Sequence, residues 1–257
     1  MRTFGKTENK MKIYLVGGAT RDKLMGIKPK DLDYVMVLDE DKVKGLKPEA
    51  GFLIMKDWME REGFTIWLET EAMYTIRAKF PPHYTQKGDA DFVLARKEVG
   101  YEEGTRRPIL ELGSLEDDLK RRDFTVNAMA EDEDGNIIDL FNGQKDLKNK
   151  VLKTPLDPNI TLLDDPLRLL RAFRFAITKE FSLSTGLRYA MENKKVLDKL
   201  QVVVSAERIR EEVLKMMKHD TVKTLRMFAN FEKFSQIDLL EIIFDRGLWL
   251  KPTFKNS

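Results

Sequence analysis

The sequence lacks cysteine entirely and has only two histidines, His83 and His219, in 257 residues. Without cysteine, disulfide bonds and thiolate metal sites are excluded. Two histidines that lie far apart in the sequence argue against a histidine-based metal site or catalytic triad. Any metal bound by this chain is therefore expected to have oxygen ligands, the kind that Mg²⁺ prefers.

Long apolar runs are also missing, since no stretch approaches the ~20 residues that cross a membrane as a helix. The first residues do not resemble a signal peptide either. We therefore expect a cytoplasmic protein with no membrane partner. The composition, with 42% hydrophobic and 34% charged residues, is typical of a globular protein with one or two domains at this length.

The sequence also lacks an excess of either positive or negative charge. The chain has 45 lysines and arginines against 43 aspartates and glutamates, for a net charge of +2. This balance argues against an affinity that comes from bulk neutralisation of phosphates. Local clusters can still engage a polyanion, and basic residues cluster at 120–122, 168–174 and 208–210.

The most informative stretch lies near the start of the chain. Residues 13–16 form an apolar, β-branched run that stops at Gly17 and Gly18, as a buried strand that enters a tight turn does. A glycine pair allows positive φ and lets another group approach the backbone closely. A short helix with Arg21 near its start is predicted to follow.

Asp31 and Asp33 flank a single leucine, and a strand is predicted directly after them at 34–38. In an extended segment, residues i and i+2 point to the same face, so both carboxylates project together. Neighbouring carboxylates repel unless a cation lies between them, and Mg²⁺ is the usual solution. The strand, glycine pair and paired aspartates together indicate a site for a metal and a nucleotide.

Strand signals occupy the first part of the chain and helix signals the last part. Strands are predicted at 13–16, 34–38, 64–68, 73–80 and 91–96, with a helix at 49–62 between them. A helix that begins at Ser114 is expected to reach Asn127 and beyond, and 97–108 is expected to be mobile. From 144 onward only helices are expected, at 144–150, 165–178, 184–193, 205–218 and 221–245. This order predicts an α+β fold.

The helix that opens near residue 164 is the second informative stretch. Asp164 is a suitable N-cap, and Pro166 is tolerated in a first helical turn. Arg168, Arg171 and Arg174 recur at helical spacing on one face. Three arginines so placed repel one another unless an anion or carboxylates accompany them.

Asp165 and Arg168 lie one turn apart and can present an acceptor beside a donor. Cytosine and adenine both carry an exocyclic amine donor beside a ring-nitrogen acceptor, whereas guanine and uracil show the reverse order. A carboxylate beside a guanidinium would therefore select C or A and reject G or U. This pairing is a hypothesis that depends only on the order of donor and acceptor.

A third stretch, 121–130, has the pattern of an amphipathic helix whose apolar residues would face the core. Arg122 and Asn127 then remain as candidate polar contacts. The residues alone also fit an ordinary amphipathic helix, so both interpretations stay open.

These motifs together resemble the class II tRNA nucleotidyltransferase family, which comprises CCA-adding enzymes and related bacterial poly(A) polymerases within the DNA polymerase β-like superfamily. The similar segments follow the family's order: LVGGATRD at 15–22, DLD at 31–33, DFVLARKE at 91–98, RRP at 106–108, GSLEDDLKRRDFTVNAMA at 113–130, DDPLRLLRAFRF at 164–175 and SAERIREEVLKM at 205–216.

The resemblance implies a fold with an N-terminal polymerase β-like nucleotidyltransferase head on a mixed sheet, followed by an all-helical neck and body. The domains expected on this basis are a catalytic head at 1–143, a neck with the template for the incoming base at 144–203, and a short body-like region at 204–257. The stretch 97–107 falls where the family keeps a flexible loop.

The resemblance also implies roles for individual residues. Asp31 and Asp33 match the catalytic carboxylates that bind Mg²⁺, and Asp91 matches the strand position of a third carboxylate. Nucleotide contacts are expected at Gly17, Gly18, Arg21, Arg122 and Asn127, and at Asp165, Arg168, Arg171 and Arg174.

The implied activity is the addition of C and A to the 3′ end of tRNA from CTP and ATP, with two Mg²⁺ ions and release of pyrophosphate. CC-only, A-only and poly(A) addition are open alternatives, and so are a non-catalytic RNA-binding module and a nucleotidyltransferase acting without RNA. Three departures from the family pattern stand out. The segment 39–90 is longer than expected, the template begins Asp-Asp rather than Glu-Asp, and the chain ends soon after 205–216.

Overall fold

The computed structural model of the chain describes residues 11–39, 45–101, 108–235 and 238–245. These residues fall into two compact units. We call the first the head unit, which runs up to Arg122 and resumes at Val126–Gln144, and the second the helical unit, which consists of Asp123–Thr125 and the chain from Lys145 onward.

Among the described residues, the head unit contains nine strands and three α-helices. Each is seven residues or shorter except the 15-residue helix Pro48–Glu62. The strands are β1 (Met11–Val16), β2 (Asp33–Leu38), β3 (Thr65–Thr70), β4 (Thr75–Lys79), β5 (Asp89–Leu94), β6 (Arg96–Tyr101), β7 (Pro108–Leu112), β8 (Met129–Glu131) and β9 (Ile137–Asp139). The helices are α1 (Gly18–Leu24), α2 (Pro48–Glu62) and α3 (Leu115–Lys120).

Seven of these strands form one mixed sheet with the order β3-β4-β5-β2-β1-β8-β9. Strands β2 and β5 run parallel, and each of the other neighbouring pairs is antiparallel. Strands β6 and β7 form a separate antiparallel pair. The predicted α+β fold with a mixed-sheet head is confirmed.

Strand β2 lies in the middle of the sheet and is buried on both faces. On one face, α2 packs against a cluster of aromatic rings, with centroids 5.2–5.4 Å apart, from Tyr34, Phe64, Phe80 and Phe92. On the other face, Val35 packs in a second apolar cluster with residues of β8 and α3. Each large apolar side chain buried in this way contributes about 1.5–3 kcal/mol, so the start of β2 is held rigidly.

The end of the head unit bears on two predictions. Residues 97–101 belong to β6, and 108 begins β7, so both ends of the segment predicted to be mobile are paired strand; its mobility stays a prediction, and 102–107 lie outside the described residues. The helix at Ser114 has the expected capping box with Asp117, but it ends at Lys120. A 3₁₀ turn at Thr125–Asn127 and strand β8 take the place of its expected continuation.

The helical unit follows a boundary that falls within α4 (Gly143–Lys148). Its elements are α5 (Pro158–Asp164), α6 (Leu167–Thr178), α7 (Thr185–Met191), α8 (Lys194–Val203), α9 (Ala206–Ser235) and α10 (Leu239–Phe244), with a two-residue parallel strand pair, β10 (Val151–Leu152) and β11 (Ser182–Leu183). The prediction that strands stop before 144 is therefore wrong only for this small pair.

Helix α6 is the centre of the helical unit's core. Its residues Leu169, Leu170, Phe173, Phe175 and Ile177 are buried. Phe173 packs edge-on against two rings of α9, with centroid distances of 5.8 and 5.3 Å. The apolar face predicted from helical spacing is thus the face that packs.

In the helical unit, one helix boundary differs from expectation and one helix break agrees with it. Asp164 is the last residue of α5 rather than the N-cap of the following helix, and Asp165 accepts a hydrogen bond from the Leu167 backbone N–H instead. Helix α9 bends at Asp220, which has φ −156° and ψ 99° and accepts a hydrogen bond from the Lys223 backbone N–H. This bend corresponds to the predicted break between 205–218 and 221–245.

A search for membrane-spanning segments within the described ranges finds no helix that is both long and apolar enough to cross a bilayer.

Candidate active site

The three predicted carboxylates lie at the start of β2 and on the strand beside it. Asp33 is the first residue of β2, and it is in register with Asp91 of the parallel strand β5. Asp31 stands two residues earlier and is exposed. Side chains in register on neighbouring strands share a face of the sheet, so Asp33 and Asp91 project to the same side.

The environment of Asp33 disfavours the ionised form of its carboxyl group. Burial raises the pKa of the Asp33 carboxyl above its ordinary value, the Arg122 guanidinium lowers it, and the carboxylates of Asp91 and Asp31 raise it further. A carboxylate in this position favours either a proton or a cation. The donor set is made of oxygen, which fits a hard divalent cation such as Mg²⁺.

Asp91 already has a strong partner in Arg77 of β4. The Arg77 Nε and Nη2 atoms donate to the two oxygens of Asp91 at 2.6 and 2.7 Å, a bidentate pair. Across residues 11–39, 45–101, 108–235 and 238–245, no three side chains of His, Cys, Asp or Glu are grouped as a metal cage. Asp91 is therefore engaged by Arg77, and the metal-binding roles of Asp31, Asp33 and Asp91 stay predictions.

The glycine turn between β1 and α1 carries the second part of the head-unit site. Gly17 has φ +71°, a conformation that residues with a Cβ rarely adopt. A Cβ on Gly17 would lie only 2.7 Å from Nη1 of Arg122, so the absence of a side chain lets this guanidinium approach the turn. Arg122 is held from behind by the buried Asp118, whose Oδ2 accepts from its Nε and Nη2 at 3.0 and 2.7 Å.

Arg21 and Asn127, both predicted nucleotide contacts, bind each other. Arg21 donates through Nη1 to Oδ1 of Asn127 and through Nε and Nη2 to Asp22, and it is only 7% exposed. Asn127 is 5% exposed. In this arrangement Asn127 positions Arg21, and direct contact with a nucleotide stays a prediction for both.

The predicted base-reading residues lie where α5 meets α6 in the helical unit. Asp165 accepts from Arg208 Nη2 of α9 at 2.8 Å. Arg168 donates through Nη1 to the Thr161 carbonyl at 3.0 Å and pairs with Asp164 at 3.2 Å. Asp165 is therefore held by a residue of α9, and Arg168 by residues of α5.

The other two arginines of α6 are paired with acids, as their mutual repulsion requires. Arg171 donates through Nε and Nη2 to Asp123, and Arg174 donates through Nε to Glu212 of α9. Asp123 and Glu212 are 7% and 4% exposed. The nearby acids hold the pKa of Arg171 above its ordinary value, although burial acts in the opposite direction. These ion pairs stabilise the helical unit, and a nucleotide contact by Arg171 or Arg174 stays a prediction.

Three residues of these sites escaped sequence reasoning: Arg77, Asp118 and Arg208. Asp118 could have been found, since it stands four residues before Arg122 in a predicted helix. Arg77 and Arg208 could not, because their partners are set by strand register and by helix packing.

Comparison with known proteins gives consistent matches. Residues 13–153, more than half of the chain, match the family described as the poly(A) polymerase head domain. The chain is 34% identical over 236 residues to the tRNA nucleotidyltransferase cca2 of Schizosaccharomyces pombe, a match that covers 84% of this chain and 46% of the relative. It is 32% identical over 256 residues to a CCA-adding enzyme of Francisella tularensis subsp. tularensis, with 96% of this chain and 61% of the relative covered.

Solved structures show a similar fold. One is a tRNA nucleotidyltransferase complexed with a primer tRNA and an incoming ATP analogue, with 29% identity, a TM-score of 0.66, and coverage of 91% of this chain and 60% of that chain. Another is the Bacillus stearothermophilus CCA-adding enzyme in complex with CTP, with 25% identity, a TM-score of 0.66, and coverage of 86% and 48%.

The chain spans about half the length of the curated relatives it matches. The matched segment nevertheless contains the glycine turn, the paired aspartates, β5 and α3. The chain therefore belongs to the poly(A) polymerase head-domain family of the nucleotidyltransferase superfamily.

Proposed function

We propose that this protein is a template-independent RNA nucleotidyltransferase that adds C and A to the 3′ end of tRNA from CTP and ATP and releases pyrophosphate. The observation that carries the proposal is the half-buried Asp33 at the start of β2, flanked by two more carboxylates and faced by Arg122. Solved relatives of the same fold bind a primer tRNA with an ATP analogue, and CTP.

The head unit would hold the triphosphate and the reacting hydroxyl. Asp31 and Asp33 would hold Mg²⁺, which when bound helps to activate the RNA 3′-hydroxyl and to stabilise the departing pyrophosphate. The backbone at Gly17 and Gly18 would lie against the triphosphate, since glycine has no side chain of its own there and the group beside Gly17 is the Arg122 guanidinium. Arg122, anchored by Asp118, would neutralise phosphate charge.

In the helical unit, Asp165 and Arg168 would select the base. Their fixed positions favour this role, because a donor and an acceptor discriminate bases only when neither can rotate away. Asp165 would accept from the exocyclic amine of C or A, and Arg168 would donate to the ring nitrogen. Arg208 and the Thr161 carbonyl would keep the two side chains in place.

The alternatives differ in what they predict. CC-only, A-only and poly(A) addition use the same carboxylates and differ in product, so sequencing of RNA 3′ ends after separate supply of CTP and ATP distinguishes them. A nucleotide sensor or small-molecule nucleotidyltransferase would release pyrophosphate without RNA. A non-catalytic RNA-binding module would release none. A cytoplasmic location follows from the proposed substrate and stays a prediction.

The test of the proposal is a pair of charge-matched substitutions in the same strand region. Asp33→Asn should lower incorporation of C and A into tRNA by about a thousandfold or more, because the metal site loses half of its charge. Asp39→Asn removes one exposed carboxylate just beyond the other end of β2 and should leave the rate within about twofold of the unchanged protein.

Thermal unfolding of each variant would show that the fold is intact. Substantial incorporation by Asp33→Asn, or equal activity of the unchanged protein with and without EDTA, would reject the proposal.

A further inference from the structure

The segment 39–90, which the family resemblance leaves without a role, supplies an edge of the sheet beside the candidate metal site. Strands β3 and β4 lie in this segment, and β3 is the outermost strand. Trp67 lies in β3 at a register irregularity between Ile66 and Leu68, and it is 54% exposed. A large aromatic ring at an exposed sheet edge gains little from burial in the core.

The sheet places Trp67 at the end of a row of functional side chains. Asp33 is in register with Asp91, Asp91 with Arg77, and Arg77 with Leu68, the neighbour of Trp67. The Arg77 guanidinium carbon is 5.7 Å from the Trp67 ring centroid while the same group binds Asp91. The row crosses three strand intervals, so Trp67 is roughly 14 Å from the predicted metal carboxylates at a strand spacing of about 4.8 Å.

The basic side chains of β4 at this edge, Arg77 and Lys79, lie across from Asp91 and Asp89 of β5. Arg77 neutralises Asp91, which would otherwise extend the negative charge of Asp33 toward the edge. Lys79, two residues along β4 and therefore on the same face as Arg77, is exposed. An exposed aromatic ring beside cationic side chains is the arrangement on which bases of single-stranded nucleic acid stack, with about 1–3 kcal/mol per base.

We propose that Trp67, supported by Arg77, is a stacking site for a base of the single-stranded end of the RNA acceptor. At about 3.4 Å per stacked nucleotide, the row's length places this base about four nucleotides or fewer from the reacting 3′-hydroxyl. The inference rests on the proposed function, because it concerns how that function holds its RNA.

The first test measures binding and does not depend on catalysis. The probe is an RNA hairpin that ends in a single-stranded 3′ CC, added to the full chain with no nucleotide present. Quenching of tryptophan fluorescence by this RNA should be large in the unchanged protein and should fall at least fivefold in Trp67→Phe. The other two tryptophans, Trp58 and Trp249, are present in both proteins, so the difference in quenching between them reports Trp67.

The second test measures turnover with variants of the same strand. Trp67→Ala should raise KM for the RNA acceptor about tenfold, leave KM for CTP and kcat at saturating RNA within twofold, and be rescued largely by Trp67→Phe, which keeps a stacking face. Leu68→Ala is the matched control, since it removes a 50% exposed aliphatic side chain of the same edge strand and should leave KM for RNA unchanged.

The outcomes separate this inference from the proposed function. Unchanged quenching and an unchanged RNA KM in Trp67→Ala, in a chain that still incorporates C and A, would overturn the stacking site alone. In size-exclusion chromatography, Trp67→Ala could change the elution volume of the protein while its binding of RNA stays the same. That result would overturn the stacking site and indicate that Trp67 contacts another protein chain. A chain that quenches with RNA but incorporates nothing would overturn the proposed function and keep the stacking site.

Discussion

Gly17 is the residue at which the backbone and the chemistry of the head unit depend most directly on each other. Its φ of +71° and ψ of −130° lie outside the left-handed helical region, in a sparsely populated conformation that costs a residue with a Cβ about 1–3 kcal/mol, and its missing side chain leaves space for Nη1 of Arg122. Gly17→Ala should therefore lower the free energy of unfolding by about that amount. It should also raise KM for CTP, because the added Cβ displaces the guanidinium.

Gly18→Ala is the control for the stability part of this prediction. Gly18 has no positive φ, and a Cβ there would meet Nη2 of Arg21 at 3.4 Å, an ordinary contact distance. Urea unfolding of both variants should show a loss for Gly17→Ala and a change within about 0.5 kcal/mol for Gly18→Ala. Equal effects of the two substitutions would mean that the Gly17 conformation is not what matters.

Residue types and local spacing could predict the paired aspartates, but not the partners of the residues around them. Asp31 and Asp33 are two apart, and an extended chain alone places them on one side. Arg77 and Asp91 are 14 residues apart and meet because of the register between β4 and β5. Register depends on packing of the whole sheet, which no short motif specifies.

Helix α3 shows how a short element fixes a functional side chain. Its buried Asp118 pairs with Arg121 at 2.5 Å and with Arg122 at 2.7 Å. Burial raises the pKa of the Asp118 carboxyl, but the two guanidinium groups together outweigh it and hold the pKa below its usual range. The ionised carboxylate is therefore part of the folded state at neutral pH.

Asp118→Asn should lower the free energy of unfolding by about 3 kcal/mol at pH 7, since it leaves two arginines without their buried counter-charge. The pKa is depressed on folding, so the contribution is present above the unfolded pKa of about 4 and is lost as the pH falls through the lower folded value. The difference between the two proteins in urea unfolding should consequently shrink below about pH 4.

Glu116→Gln is the matched control for this pH profile, because Glu116 is an exposed acid in the same helix. It should change stability by no more than about 0.5 kcal/mol at either pH. A destabilisation of Asp118→Asn that stays constant down to pH 3 would contradict the ion-pair explanation.

Elements with strong periodicity were predictable, and their ends were predictable only where the sequence marks them. Helix α2 begins at Pro48, ends at Glu62 and is followed by a left-handed Gly63, close to the predicted 49–62, because proline and glycine mark both ends in the sequence. Helix α3 stops at Lys120 although the pattern continues, and Phe124 is buried with Phe175 of α6 in the helical unit. Tertiary packing there overrides local propensity, which single-sequence reasoning cannot see.

The whole chain divides into a sheet-based unit and a helical unit, and the α+β class follows from the order of strand and helix signals. The boundaries proposed at 143 and 203 stay predictions. The boundary between units involves Asp123–Thr125, a short piece of the helical unit that interrupts the head unit in sequence. No local sequence pattern marks this assignment of Asp123–Thr125 to the helical unit. It depends on long-range hydrogen bonds, from Thr125 to Asp146 and from Arg171 to Asp123.

At the scale of the molecule, positive and negative charges nearly balance. The same holds locally, because the basic clusters of the sequence are paired with acidic side chains in the structure. Eight of the clustered or site arginines pair with acids of their own unit: Arg21 with Asp22, Arg77 with Asp91, Arg121 and Arg122 with Asp118, Arg168 with Asp164, Arg171 with Asp123, Arg174 with Glu212 and Arg208 with Asp165. A guanidinium that already has a carboxylate partner displaces few of the counterions that surround the phosphates of an approaching RNA.

Binding of the RNA hairpin should therefore depend only modestly on salt. Neutralisation of Z phosphates on a single strand gives a slope of about −0.7Z in a plot of log K against log salt concentration. We expect a slope between about −1 and −3 in fluorescence anisotropy titrations from 50 to 300 mM KCl. Charge reversal of an unpaired surface acid would make the slope steeper, whereas a slope beyond about −6 in the unchanged protein would show that its ion pairs open to bind phosphate.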